Sequence, residues 1–396
     1  MKILRGLILL MISLLLGVGI TSAQENPYRL VDLTDSLGAS PATYAAVALR
    51  SNGLPAVALR ESGAQFGTDR LSIRMLDGSA WTTLDTTPLL DSLSSQISEG
   101  GIDITFDAND NLIVALNRVV SDIGFDAYGT FVAQWDGANW SQVGNFVSDE
   151  ASIGPIYLLN TGDSLALAWL TENSVHVSQW TGETWQPLGD GLPISQGAQP
   201  DKLFAAVSGN SPVVVWTETF SSGETGLSLR GWNGSQWASL PDLPNQNDFQ
   251  IGVSSLQGLT STPNGTIYVA SADESSDATR YVTAWQLSRG GWVEAGAPEQ
   301  ALESACAQNH GIAAGSDGIL YYGWTADCRN ALPITRWTEG QGWSALGEPV
   351  AIGNIGENAP PVTLNIAPDG TVFVGWLESG SQVNLQFQFA AYLPTG

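Results

Sequence analysis

The sequence predicts an all-β fold, a closed ring of seven four-stranded antiparallel sheets. Three observations carry this prediction: a hairpin that recurs seven times, a second hairpin that follows it, and an apolar strand near the beginning without a partner. The first hairpin places an Asx-Gly-type turn between two apolar strands. Its equivalent turn positions lie 47 to 57 residues apart, at Gly53, Asp110, Asp163, Asn210, Gly265, Gly318 and Gly370. A regular period near fifty residues filled with short strands is typical of the β-propeller.

The second hairpin carries a tryptophan on each side of its turn in most copies. Residues 134–144 read QWDGANWSQVG and residues 179–189 read QWTGETWQPLG. Each unit, or blade, therefore consists of strands A to D, joined by tight A–B and C–D turns and by longer B–C and D–A loops. Strand B copies such as residues 372–376, VFVGW, are almost wholly apolar, as expected where neighbouring blades cover both faces.

The two chain ends predict how the ring closes. Residues 383–389 can form strand C of the seventh blade, but no strand D follows them. Residues 29–33 form a strand before the first hairpin, and Ser36-Leu37-Gly38 repeats the ending of the D strands. We expect this N-terminal strand to complete the last blade, because closure leaves no open sheet edge. Six blades with stray ends are the alternative.

The strand order assigns the two rims of the ring. Both tight turns lie on one rim, here called the turn face, and the B–C and D–A loops lie on the other, here called the loop face. Loops on a rigid scaffold usually carry binding residues, so the loop face is the predicted binding surface.

The first residues are predicted to be a signal peptide, residues 1–23. Lys2 and Arg5 precede the apolar residues 7–20, and small residues follow at 21–23. Residues 24–396 then form one propeller domain, which we expect to be secreted or periplasmic. The chain has 14 basic and 39 acidic residues, a net charge of −25. This charge disfavours nucleic acid and anionic membranes as partners.

The two cysteines, Cys306 and Cys328, lie symmetrically about the turn residue Asp317. Residues equidistant from a hairpin turn face each other across the two strands. Because an exported chain meets an oxidising compartment, we predict a disulfide between them. Two free thiols are the alternative.

A charged residue ends strand B in each blade. These positions are Glu61, Arg118, Glu172, Glu218, Asp273, Asp327 and Glu378. In a closed ring they predict a circle of mostly negative charge at the mouth, able to attract a cation or a cationic ligand. The alternative is that strands leaving the core simply end in solvated charges. We expect the protein to bind no cofactor. Calcium at these carboxylates is the one exception, and it can be tested by titration. The segment 107–111 (DANDN) fits a calcium loop loosely and an ordinary turn better.

The 15 tryptophans all fall on repeat positions, which indicates packing between blades rather than a sugar-binding surface. His176 lies within a predicted strand C, where a half-buried scaffold role is expected. His310 lies near the predicted mouth, where a general base could act. The sequence has no nucleophile elbow, phosphate-binding loop or zinc-protease motif.

The WDGANW-type hairpins resemble those of bacterial exported propellers built from D-G-x-x-V-a-W and W-D-G-x-x-W repeats. More distantly, their turn is similar to the Asp-box of the sialidase-like superfamily, and the repeats are similar to kelch repeats. The chain has few arginines, lacks a Phe-Arg-Ile-Pro motif and lacks the kelch Gly-Gly doublet. The resemblance therefore implies the fold and not sialidase activity.

The sequence thus favours a secreted binding module whose acidic loop face binds carbohydrate or a protein partner. The alternative is a glycoside hydrolase or lyase that uses loop carboxylates. A surface-layer or adhesion component is a third reading. The absence of a catalytic motif favours binding over catalysis.

Overall fold

The computed structural model confirms seven blades of antiparallel strands arranged in a ring. The structure describes residues 28–38, 41–61, 70–89, 95–122, 125–148, 152–243, 255–274, 280–296, 307–326, 330–355, 361–379 and 385–395. None of the helices in these ranges is long and apolar enough to cross a membrane. Cys306 and Cys328 lie outside them, so their disulfide stays a prediction.

The strands are numbered in chain order. Within each blade the first four long strands follow one another from the ring centre outward, except that β1 is the outermost strand of blade 7. The chain begins with β1 (Tyr28–Asp32), which belongs to blade 7, and the short helix α1 (Thr34–Leu37). Blades 1 to 3 comprise β2 (Ala42–Leu49), β3 (Pro55–Glu61), β4 (Arg70–Asp77), β5 (Ala80–Leu84); β6 (Ser95–Phe106), β7 (Leu112–Asp122), β8 (Phe125–Trp135), β9 (Trp140–Gln142); and β10 (Tyr157–Asn160), β11 (Leu165–Leu170), β12 (Ser174–Trp180), β13 (Trp185–Pro187), β14 (Leu192–Pro193). A 3-10 helix (Thr87–Leu89) follows β5.

Blades 4 to 7 complete the ring. They comprise β15 (Ala198–Ser208), β16 (Ser211–Phe220), β17 (Thr225–Trp232), β18 (Trp237–Ser239); β19 (Ser255–Ser261), β20 (Ile267–Glu274), β21 (Arg280–Ser288), β22 (Gly291–Gly296); β23 (Ala307–Ala314), β24 (Leu320–Ala326), β25 (Ala331–Leu332), β26 (Ile334–Thr338), β27 (Gly342–Ala345), β28 (Val350–Ala351); and β29 (Thr363–Ile366), β30 (Val372–Ser379), β31 (Leu385–Pro394). The innermost strands β2, β6, β10, β15, β19, β23 and β29 contact one another in turn around the whole circle.

The predicted closure is confirmed. Strand β1 pairs antiparallel with β31, with Tyr28 opposite Pro394 and Asp32 opposite Ala390. The chain then continues through α1, and Arg74 of blade 1 donates to the carbonyl oxygens of Leu37 and Gly38. The first strand of the chain therefore completes the last blade, and the next segment is tied to the first blade.

The tryptophan after each C–D turn joins neighbouring blades at the outer rim. In five blades its indole N–H donates, at 2.6 to 3.0 Å, to a backbone carbonyl of the preceding blade or of the loop that leaves it. In blade 1, Trp81 donates instead to the hydroxyl oxygen of Ser36 in α1, at 3.2 Å. The donors are Trp81, Trp140, Trp185, Trp237, Trp292 and Trp343. These contacts agree with the prediction that the tryptophans pack the blades.

The Leu-Gly or Val-Gly ending of strand D follows from this packing. Gly144 has a φ of +74°, and a Cβ added to it would lie 2.4 Å from Cζ3 of Trp180 in blade 3. A side chain there would both strain the backbone and displace the tryptophan, so only glycine fits. Between the blades, strand B residues such as Val57, Val114, Val214 and Val374 are fully buried.

Candidate functional site

The inner strands are irregular at their loop-face ends. Strands β2, β6, β15, β19 and β23 all contain a register shift in the part that precedes the regular A–B hairpin. A β-bulge turns side chains out of the regular alternation and is common beside binding sites. We call this zone, the loop-face ends of the innermost strands, the channel mouth.

Asp103 lies just inside the channel mouth, on the regular part of β6 opposite Ala115. Its Oδ2 accepts the backbone N–H of Leu158 in blade 3 (2.7 Å), and its Oδ1 accepts the N–H of Ile104 (2.8 Å). Burial raises the pKa of the Asp103 carboxyl to about 7, although both hydrogen bonds lower it. The residue is half-buried rather than sealed in the core. A carboxyl with this pKa can exchange a proton near neutral pH.

Two tyrosines flank Asp103 on the adjacent blades. Tyr157 of blade 3 occupies the position that Asp103 occupies in blade 2. Tyr157 pairs with Ala168 and Asp103 pairs with Ala115, and each alanine is the fourth residue of strand B in its blade. Tyr44 lies on β2 of blade 1. Burial, and then the negative charge of Asp103, raises the pKa of Tyr44. Burial also raises the pKa of Tyr157, with Tyr44 and Asp103 adding to the shift. Both hydroxyls therefore keep their protons at neutral pH.

Blade 4 continues this row with a cation and an aromatic ring. Phe204 lies 6.1 Å from the ring of Tyr157, measured between centroids. Lys202 lies in the bulge of β15, and its Nζ donates to the carbonyl oxygen of Leu256 in blade 5 (3.2 Å). Burial lowers the pKa of Lys202, and the nearby charge of Asp201 opposes the shift. Blades 1 to 4 thus place two phenols, one carboxyl and one ammonium along the mouth.

Two of the charged residues predicted at the ends of strand B bind the entering D–A loop. Glu218 is 3% exposed; its Oε1 accepts the indole N–H of Trp216 (2.7 Å) and its Oε2 accepts the N–H of Ser195 (3.1 Å). In blade 7, Oε2 of Glu378 accepts the N–H groups of Gly353 (2.7 Å) and Trp376 (3.3 Å). These carboxylates bind the loops of their own blades.

The other members of the predicted ring are dispersed. Glu61 forms an ion pair with Arg74 (3.2 Å), and Glu172 is exposed in the tight turn between β11 and β12. Arg118 and Asp273 lie in β7 and β20, but their side chains are outside the described structure, as is the whole of Asp327. The ring of charge and its ligand therefore stay a prediction.

The segment predicted as either a turn or a calcium loop forms a tight turn. Oδ1 of Asp107 accepts the N–H groups of Asn109 and Asn111, and Asp110 binds Ser51 of blade 1 through both oxygens. No cluster of three potential metal ligands occurs within the described ranges. Calcium binding stays a prediction.

Comparison with known proteins shows the fold. Neither the protein-family models nor the curated proteins match the chain. Among solved structures it is similar to polysaccharide lyase Uly1, with a TM-score of 0.52, 9% identity and 91% of each chain covered. It is similar to a PL25 ulvan lyase bound to -[GlcA(1-4)Rha3S]-, with a TM-score of 0.50, 11% identity, and 86% and 90% covered. An α-L-arabinofuranosidase, Arb93A from Fusarium graminearum, has a TM-score of 0.46, 11% identity, and 88% and 92% covered. The chain is a propeller with structural neighbours among glycoside hydrolases and lyases.

The histidines of this propeller are held by its scaffold. His176 stacks on Trp169 with 5.2 Å between ring centroids, as a half-buried strand C residue should. His310 is 3% exposed, and its Nδ1 lies 2.6 Å from the hydroxyl oxygen of Tyr322. Both histidines are engaged inside blades.

Tyr44, Asp103, Tyr157 and Lys202 were not predicted from the sequence. They lie on strand A of their blades, whereas the predicted residues lie at the ends of strand B. One signal was present. At the register of Asp103 the other blades have Ala46, Tyr157, Phe204, Gly258, Gly311 and Thr363. A carboxyl among apolar and small residues at an inner-strand position marks a candidate site.

Proposed function

We propose that the protein is an exported polysaccharide-cleaving enzyme whose acid–base chemistry takes place at the channel mouth. The observation that carries the proposal is the placement of Asp103 between Tyr44 and Tyr157 on three adjacent inner strands, with all three side chains half-buried. We take this site to open at the channel mouth, on the face where the sequence predicts binding. The likeness to polysaccharide lyases at TM-scores of 0.50 and 0.52 agrees with this proposal at the level of fold.

We propose β-elimination on a uronic-acid polysaccharide as the reaction. Asp103, ionised above about pH 7, takes the proton next to the uronate carboxyl group. As the double bond forms, the glycosidic C–O bond breaks, and Tyr157 or Tyr44 donates its phenolic proton to the departing oxygen. Lys202 on blade 4 is the cation available to offset the negative charge that develops on the uronate.

Glycoside hydrolysis fits the described residues less well. It uses two carboxyl groups that face each other across the scissile bond. In the described part of the mouth, Glu218, Glu378 and Glu61 are engaged by loop N–H groups or by Arg74, and the exposed Asp201 lies on blade 4, two blades from Asp103.

Carbohydrate binding without cleavage is the second candidate function. It is favoured by one observation: Asp103 also joins blades 2 and 3 through the N–H of Leu158. A structural carboxyl of this kind, beside Tyr157 and Phe204, suits a sugar-binding mouth. The resemblance to exported repeat propellers and the predicted signal peptide are compatible with either function.

The test is cleavage of ulvan, a uronate polysaccharide, and of arabinan, a neutral one. β-Elimination releases both reducing ends and an unsaturated sugar that absorbs ultraviolet light, whereas hydrolysis releases reducing ends only. We expect D103N to lose roughly 100-fold or more of the activity on ulvan. D77N, at an exposed position on the turn face, is the control. Binding without cleavage by the wild type would favour the second candidate.

A further inference from the structure

The connection from blade 2 to blade 3 carries two exposed apolar side chains. Phe146 is 51% exposed and Ile153 is 47% exposed; in the described residues only Val293, on the outer strand of blade 5, is a comparably exposed large apolar residue. The connection continues from Ile153 to Tyr157 at the channel mouth. Exposed apolar residues that lead toward a site indicate a contact surface.

The hydrogen bonds place these residues at different distances from the ring centre in two adjacent blades. Val147 N–H donates to Thr130 O (2.8 Å) and Thr130 N–H donates to Ser148 O (3.0 Å), so Phe146 lies along the outer side of the third strand of blade 2. At roughly 4.8 Å between strands, this is about 14 Å from the inner strand of that blade. Ile153 N–H donates to Leu170 O (2.9 Å), beside the second strand of blade 3. Ile153 therefore lies near the mouth, and Phe146 lies farther out on the neighbouring blade.

The ring of Phe146 packs against the protein on one side, while the residue as a whole is 51% exposed. A Cβ added to Gly129 would lie 3.0 Å from Cδ1 and Cε1 of Phe146, so the ring rests on a glycine. Phe131 meets it edge to face, 6.3 Å away. An aromatic ring fixed in this way, with an open face, suits the apolar face of a sugar.

In the two other blades with a described returning strand, the equivalent residue is not aromatic. The residue that precedes the short returning strand is Gly191 in blade 3 and Pro349 in blade 6. A Cβ at Gly191 would lie 3.0 Å from His176, so blade 3 has no room for a side chain there. Asp149 and Glu150 lie between Phe146 and Ile153 in the sequence, so the connection is apolar at its two exposed residues and not uncharged throughout.

From this geometry we infer that Phe146 and Ile153 form a secondary binding subsite for sugar rings of the polysaccharide chain, outside the cleavage point. This inference rests on the proposed function, because it takes the channel mouth as the place where the same polymer is bound.

The experiment measures binding apart from cleavage. Each variant is made in the D103N background, and retardation is measured by electrophoresis in gels that contain ulvan or arabinan. We expect F146A and I153S each to raise the apparent Kd for ulvan about three- to tenfold, while F146Y retains wild-type binding. The matched control is V293A, which removes an equally exposed apolar side chain on blade 5 and should bind as the parent does.

A second variant tests the position of the ring rather than its presence. G129A forces Phe146 to move and should weaken binding without removing an apolar group. Thermal melting confirms that each variant folds. Binding by F146A equal to that by V293A, or no retardation of the parent by either polysaccharide, would overturn the inference. If D103N still cleaved ulvan while F146A bound it poorly, the role of Asp103 as the base would be contradicted and the subsite at Phe146 would be supported.

Discussion

Trp216 donates its indole N–H to Oε1 of Glu218, two residues further along the same strand, at 2.7 Å. The other carboxylate oxygen accepts the N–H of Ser195 from the loop that enters the blade. Trp376 and Glu378 repeat the arrangement in blade 7, where Gly353 supplies the loop N–H. A Trp-x-Glu sequence at the end of strand B therefore fixes a D–A loop to its own blade.

Removal of the Glu218 carboxylate should destabilise the protein. E218A leaves the buried indole N–H of Trp216 and the backbone N–H of Ser195 without their acceptor, and we expect a loss of about 2–4 kcal/mol in the free energy of unfolding. Urea denaturation measures it. E172A, at an exposed turn position, is the control and should change stability by less than about 0.5 kcal/mol. Equal effects of the two variants would contradict the role of Glu218.

Blade 3 provides a natural comparison, because its glutamate comes one residue later. Trp169 is followed by Leu170, Thr171 and Glu172, and its buried Nε1 has no hydrogen-bond partner among the described residues. We expect W216F to cost about 1–2 kcal/mol more than W169F, since only W216F breaks a hydrogen bond to a charged group. Chemical denaturation of both variants checks this. A larger loss from W169F would show that ring packing, not the N–H, determines the difference.

The fold could be predicted from the sequence because the signals are local and repeated. Turns such as Gly318 and Gly370 are set by positive φ angles, and the unpaired strand at residues 29–33 could pair only with the incomplete last blade. The strand B carboxylates could be placed at the loop face, but their partners could not, because Ser195 and Gly353 approach them from loops without a sequence signature.

Less of the candidate site could be predicted from the sequence. The direction of Lys202 depends on where its inner strand leaves the regular register, and bulges leave no clear mark in an alternating pattern. The neighbourhood of Asp103, Tyr44 and Tyr157 also joins residues from three blades that are more than fifty positions apart. Only the closed ring brings them together.

The closure predicts that the chain end is essential for stability. Deletion of residues 24–33 would leave the edge of β31 unpaired and remove the strand from Tyr28 to Asp32. We expect a fall in Tm of 10 °C or more, or aggregation through the exposed edge. Differential scanning calorimetry and light scattering measure these outcomes. A truncated protein that melted like the intact one would contradict the closure.

Calcium should have little effect on the described carboxylates. Glu218, Glu378 and Glu61 already accept N–H groups or pair with Arg74, so a bound ion would have to displace these donors. We therefore expect millimolar calcium to leave Tm unchanged, and chelator to leave it unchanged as well. A rise in Tm that increases with calcium concentration and is lost in D273N or D327N would instead support a cation site formed by the remaining members of the ring.

Asp103 should make stability and activity depend on pH in opposite directions. Its pKa is raised from 3.8 to about 7 in the folded protein, so between these values the folded state holds a proton that the unfolded state has lost. The contribution to stability is therefore greatest below about pH 4, falls as pH rises to 7, and is constant above that. We expect the wild type to lose on the order of 3 kcal/mol relative to D103N between pH 4 and pH 7, measured by urea denaturation at each pH. Cleavage of ulvan should rise over the upper part of the same range, as the base ionises. A stability difference between wild type and D103N that stayed constant with pH would show that Asp103 is ionised throughout, and would remove it as the base.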